Sequence, residues 1–416
     1  MSTSKTSFPD TEIFSIEGQA LKLTTREDIQ PYLEKLAKLD KVSKLDLSGN
    51  TIGTEASEAL ASAIESNPKI HENLQEVNFA DLYTSRLVDE VVASLHCLLP
   101  ALLKCPRLHT VNLSDNAFGL RTIDSLESFI ASAVPLRHLI LSNNGMGPFA
   151  GARIGKALLK LAQLKQEKNN GNDGSEVPLL ETFVCGRNRL ENHSSLNLAL
   201  GLKAHGSSLK CVRLYQNGIR PAGIFNLLQL GLKYNTQLET LDLQDNTFTR
   251  TAAVELADVL PVWRDSLVEL NVNDCILKKS GSDAVLDVFT KVKFSKLASL
   301  KLEYNELVQQ TVEEKLLAAI EAGNLPALKE LQINGNILDE ESKAIESLQE
   351  IFEDLELDDL EEPDSEEEED EEDEDAEERE IVEIKKSREL DIESLERELL
   401  EIPIEELTEA LAKTTI

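Results

Sequence analysis

Six histidines, five cysteines and one glycine-rich stretch are the residues of this chain whose types could carry catalysis. Histidine serves as general acid, base or metal ligand, and cysteine as nucleophile or ligand. Closely spaced glycines let backbone N–H groups approach a phosphate. Their spacing supports none of these. His71, His96, His109, His138, His193 and His205 lack metal-ligand spacing, and no HExxH, Walker A or GxSxG motif occurs. His109 and His138 occupy equivalent points of two adjacent repeats, which predicts a place on the repeat surface. Cysteines 97, 105, 185, 211 and 275 form an odd, widely spaced set with no CxxC pair. That predicts reduced intracellular thiols, not a disulfide framework or a zinc site. Gly145-x-Gly147-x-x-x-Gly151 imitates a dinucleotide loop, but no Rossmann unit surrounds it, and small residues are what a repeat needs between turn and helix.

The elements that position these residues are repeats. LDLSGNTIG (45–53), VNLSDNAFG (111–119), LILSNNGMG (139–147), VRLYQNGI (212–219), LDLQDNTF (241–248), LKLEYNEL (300–307) and LQINGNIL (331–338) share the form L-x-x-L-x-L-x-x-N-x-Φ, the leucine-rich-repeat signature. Asn50, Asn116, Asn144, Asn188, Asn217, Asn246, Asn305 and Asn336 hold the ladder position, Cys275 holds it once and Leu82 breaks it. Successive ladder positions are 32, 34, 28, 44, 29, 29, 29, 30 and 31 residues apart. Alternating leucines predict a short strand, and a ladder amide can satisfy turning backbone. Ala56, Ala59, Leu60, Ala63 and Ile64 then predict a helix. Stacking about eleven such strand–turn–helix units gives an α/β fold, a leucine-rich-repeat horseshoe with a concave parallel sheet and outer helices.

This reading places the repeat domain at 1–352, with an N-terminal cap at 1–40. The 44-residue spacing places a polar surface-loop insertion, KQEKNNGNDGSEVP, at 165–178. An acidic disordered tail is expected at 353–380 and an amphipathic segment at 381–416. The chain's 416 residues carry 76 acids and 42 bases, a net charge of −34, but residues 353–416 alone hold 31 acids and 6 bases. So acidic a chain is a poor nucleic-acid binder and suits basic partners. No stretch is long and apolar enough to span a membrane, and the N-terminus lacks a signal-peptide pattern, so a soluble intracellular protein, monomeric and without membrane contact, is expected.

A repeat surface with no catalytic constellation is normally a binding surface. The position before each ladder residue runs along one loop edge: Gly49, Asp81, Asp115, Asn143, Arg187, Gln216, Asp245, Asp274, Tyr304 and Gly335. Its four Asp suit a basic partner, and Asp before Asn is also common turn chemistry. The repeat that loses its Asn reads VNFADLYTSRLVDE, and Arg86 is expected to project from that edge. On the residues alone, Arg86 would be an arginine finger.

LLKCPRLHTVNLSDNAFG (102–119), LSNNGMGP (141–148), VCGRNRLEN (184–192), QNGIRPAGI (216–224) and LDLQDNTFT (241–249), followed by the acidic tail, resemble the GTPase-activating proteins of the small GTPase Ran. The resemblance covers nearly the whole chain; Leu87 and RTIDSLESFI (121–130) are less characteristic. It implies a protein that is no enzyme itself but grips the switch regions of Ran in its GTP form and acts on Ran's own catalytic site, in nucleocytoplasmic transport. It implies that Asn143, matched through SNNGMGP, orients Ran's catalytic glutamine. Arg86, matched through TSRLVDE, matters for activity without being a finger. Asp81, Asp115, Arg187, Gln216, Asp245, Asp274 and Tyr304 are then partner-binding candidates. No cofactor or metal is expected, since GTP and Mg belong to the partner.

The tail reads either as an attractor for basic surface or as a solubilising segment. Leu395-x₃-Leu399-x₂-Ile402-x-Ile404 fits a nuclear export signal, hence a cytoplasmic, possible shuttling protein with an export receptor as partner. It also fits any amphipathic helix. A Ran-binding helper protein is a further partner to consider, and Ser365 before EEEED is a phosphorylation candidate. The runner-up function is an acidic leucine-rich-repeat histone chaperone, against which the repeat length and CGRNRLEN argue.

Overall fold

Each leucine phrase folds into a three-residue strand whose middle side chain points into the core. The computed structural model describes residues 8–171, 177–360, 379, 382 and 392–401. They form two compact units, residues 1–188 and 189–416. In the first, strands β1 (Ile13–Ser15), β3 (Lys44–Asp46), β5 (Glu76–Asn78), β6 (Thr110–Asn112), β7 (His138–Ile140) and β8 (Thr182–Val184) pair in parallel. Short β2 (Lys22–Leu23) and β4 (Thr51–Ile52) pair beside them. Their register aligns Phe14, Leu45, Val77, Val111, Leu139 and Phe183 in one row, all buried. The second unit repeats this with β9 (Cys211–Arg213), β10 (Thr240–Asp242), β11 (Glu269–Asn271), β12 (Ser299–Lys301) and β13 (Glu330–Gln332), aligning Val212, Leu241, Leu270, Leu300 and Leu331. Eleven repeats thus carry a strand of the main parallel sheets, as the leucine spacing predicts.

Helices such as Thr54–Ser66, Val88–Leu103 and Lys278–Lys291 return the chain between strands and bury one face each, whereas Gly147–Asn170 is buried all round over 150–159. On Thr54–Ser66 that face is Ala56, Ala59, Leu60 and Ile64 with Ser57 and Ala61. The ladder works as its chemistry requires. Asn144 Nδ2 donates to the carbonyls of Leu113 and Leu141, both at 3.0 Å, and its Oδ1 accepts from Asn116 N at 2.8 Å. Each ladder amide thereby fills backbone groups of its own repeat and of the one before.

The structure moves two boundaries. The 165–178 insertion does not begin as loop, because the helix from Gly147 runs to Asn170. Lys165 is buried on it and donates to the carbonyls of Leu136 and, at 2.9 Å, Pro178, which ties down the base of the insertion. The acidic segment begins packed, with Leu357 buried and Asn334 Nδ2 donating to Asp358 at 2.7 Å. The cap at 1–40 is itself a strand-and-helix repeat, its helix Arg26–Lys38 opened by a Thr25–Asp28 capping box. Ser365 and the residues around it lie outside the described residues.

Candidate partner-binding edge

All ten residues of the edge row have a left-handed backbone, from φ +49° at Asp81 to +69° at Gly49. Only Gly, Asn and Asp reach this region at little cost, so the turn itself selects for Asp81, Asp115, Asp245, Asp274 and Asn143. Arg187, Gln216 and Tyr304 are different. Each holds a left-handed backbone that its type does not favour and remains exposed.

Neighbours along the row are linked. Asn143 Nδ2 donates to Asp115 Oδ1 at 2.8 Å, and Gln216 Nε2 to Asp245 Oδ2 at 2.9 Å. Asn143 is exposed, and the first contact engages its amide N–H group, leaving the carbonyl oxygen as the acceptor of the same amide. Tyr304 OH donates to Asp359 at 2.9 Å, so the start of the acidic segment reaches the last turns of the row. Partial burial and the neighbouring Asp245 raise the carboxyl pKa of Asp274. Arg187 has no hydrogen-bond or ion-pair partner among the described residues.

Arg86 does not project from the edge; here the expectation is corrected. Its guanidinium folds back over the preceding repeats, with Nε donating to Thr51 Oγ1 and Nη2 to Thr24 Oγ1, both at 2.9 Å. Nη1 faces Glu90 at 3.6 Å, and the side chain is 10% exposed. A Cβ added at Gly53 would meet Nη1 at 3.1 Å and the Thr24 carbonyl oxygen at 2.8 Å, so this glycine makes the room. An arginine held by three side chains positions its turn and is not a free finger. The sequence signalled neither Thr24 nor Thr51 as its holders.

The missing ladder Asn is also accounted for. Leu82 is fully buried, and its N–H is taken by Asn116 Oδ1 at 2.7 Å. Tyr83 wedges the turn, its hydroxyl 2.8 Å from Ser94 Oγ and its ring against Phe118. Beyond the edge, the titratable groups are structural. His138 Nδ1 sits 3.0 Å from Thr182 Oγ1, and burial holds its pKa down to about 4. Burial pushes the Cys105 and Cys185 thiols up to about 12, and all five cysteines are free. Gly145 and Gly147 have positive φ, so turn geometry explains two glycines of the dinucleotide-like stretch, and Gly151 is buried in the helix that follows. Among the described residues no His, Cys, Asp or Glu cluster could hold a metal ion, and no helix is long and apolar enough to cross a membrane.

Parallel three-residue strands, an asparagine ladder and outer helices define a leucine-rich-repeat protein, and the leucine-rich-repeat family model matches residues 41–61 and 234–257. Ran GTPase-activating protein 1 of Saccharomyces cerevisiae is 64% identical over 83% of this chain and 83% of its own length. The chain belongs to the family of Ran GTPase-activating proteins. More distant members are Ran GTPase-activating protein 1 of Xenopus laevis, 32% identical over 49% of this chain and 34% of its own length, and the Drosophila melanogaster protein, 31% identical over 54% and 36%. An internalin from Listeria monocytogenes aligns with 82% of this chain and 86% of its own at 16% identity and a TM-score of 0.43.

Proposed function

We propose that this chain stimulates GTP hydrolysis by Ran, binding its GTP form through the left-handed turn row and acting on Ran's own catalytic site. The observation that carries the reading is Asn143, exposed on that row with its amide tied to Asp115, in a chain 64% identical to the yeast activator. Phosphoryl transfer is governed by positioning and electrostatics, and a GTPase glutamine orients the attacking water. The carbonyl oxygen of Asn143 can accept from that glutamine's amide N–H, leaving the glutamine carbonyl to accept from the water. A neutral Asn brings no positive charge to the phosphates, so its contribution is orientation. Arg86 stabilises the turn beside it, and GTP and Mg come with the partner.

Asp81, Asp115, Asp245 and Asp274 would meet basic surface on Ran, while Arg187, Gln216 and Tyr304 supply the contacts that turn chemistry does not account for. An activator of this kind would serve nucleocytoplasmic transport from the cytoplasm. A Ran-binding helper would be an added partner, and the Leu395–Ile404 pattern a link to an export receptor; Ile402 and Ile404 lie outside the described residues. The test is GTP hydrolysis by purified Ran with this chain at one-hundredth of its concentration. Complete turnover of all Ran-bound GTP supports the reading, and hydrolysis at the unstimulated rate overturns it.

A further inference from the structure

Residues 392–401 form a helix whose burial has a helical period. Ile392, Leu395, Glu396 and Leu400 are half-buried and Leu399 is 5% exposed, while Glu393, Arg397, Glu398 and Glu401 face solvent. One face of this acidic helix is therefore covered. Its covered face carries Glu396, whose Oε1 lies 2.6 Å from Lys203 Nζ, at the end of the helix Glu191–Lys203 of the second unit. Lys203 Nζ also stands 5.3 Å from the centre of the Tyr234 ring, and Lys233 Nζ stands 5.2 Å from it. The body is acidic overall, so two lysines around one aromatic ring make a local exception on its outer surface.

We propose that Lys203, Lys233 and Tyr234 form a docking site for an acidic amphipathic helix, filled in cis by the chain's own residues 392–401. The chemistry is complementary. Lys203 pairs with Glu396, Lys233 and Tyr234 stand beside it, and Leu399 is removed from water with Leu395 half-covered. A tethered ligand competes at an effective concentration on the order of millimolar, so a weak contact suffices to keep the site occupied. The consequence is regulatory. Leu395 and Leu399 are the first two positions of the export-like pattern, and another protein can read them only after the helix leaves Lys203. Binding of any reader of that stripe is therefore opposed by cis docking and favoured by salt, which screens the ion pair. The docking itself is independent of the GTPase reading.

Hydrogen exchange of the full-length chain tests this, read on the amides of 395–401 in the wild type, Lys203→Glu, Glu396→Lys and the charge-swapped double variant. Each single variant should speed exchange there about tenfold, and the swap should restore most of the protection. Exchange in β9 to β13 reports whether the unit stays folded. Equal exchange in all four chains with those strands intact, or single-variant loss that the swap does not recover, would overturn the docking.

Discussion

At the scale of single residues, the left-handed row separates Gly, Asn and Asp, which its backbone favours, from Arg187, Gln216 and Tyr304, which it does not. Non-glycine residues in this region carry a cost of about 1–2 kcal/mol, partly offset in any replacement by the greater freedom of unfolded glycine. Arg187→Gly should therefore raise the unfolding free energy by about 0.5–1 kcal/mol in urea titration while weakening Ran binding, a gain in stability bought with function. Arg86→Ala should act the other way. Losing the contacts to Thr24, Thr51 and Glu90 should lower stability by about 1–3 kcal/mol, and hydrolysis should weaken through a loosened turn, without the signature of a missing charge. The sequence showed that Arg86 stood in an anomalous turn. It did not show which way the side chain pointed, because Thr24 and Thr51 lie 62 and 35 residues away and no local pattern marks them.

At the scale of elements, strands, ladder and helical stripes were legible because each repeat states the same solution again. Boundaries were less so. KQEKNN reads as loop by composition, yet it extends a helix, from which Lys165 reaches the carbonyls of Leu136 and Pro178. The first residues of the acidic segment read as tail, yet Leu357 is buried and Asp358 accepts from Asn334 of the last repeat. The left-handed row was written in the sequence as Gly, Asn and Asp at one position, but the strain at Arg187, Gln216 and Tyr304 needed the backbone to be seen. The ladder gives an element-scale prediction. Asn144→Ala leaves Asn116 N without its acceptor and takes one donor from each of the Leu113 and Leu141 carbonyls, which keep Asn116 Nδ2 and Asn188 Nδ2, and should destabilise the first unit by about 1–3 kcal/mol, read as a shifted urea midpoint. At the other end, Gly335→Ala should destabilise the last repeat. Its Cβ would fall 2.2 Å from the Tyr304 ring, at a φ of +64°.

At the scale of the whole molecule, charge and protonation set behaviour. A net charge of −34 predicts that association with a basic partner slows by about tenfold or more between low and high salt, the dissociation rate changing less. Burial lowers the pKa of Lys165 from its ordinary value to about 7. Between about pH 7 and the unfolded value near 10.4, the unfolded chain binds the proton that the folded chain gives up, so stability rises with pH; below 7 the burial penalty is full. Unfolding in urea from about pH 6.5 to 7.5, where unfolded thiols are still mostly protonated, should show that rise in the wild type and a flatter profile in Lys165→Met. The central claim, that the Asn143 edge orients the partner's glutamine, is tested most directly by single-turnover GTP hydrolysis on Ran at saturating concentrations of this chain and of Asn143→Ala. We expect Asn143→Ala to bind Ran with near-normal affinity and to lower the saturated rate by about 10²-fold. An unchanged saturated rate, or a loss confined to affinity, would contradict the account.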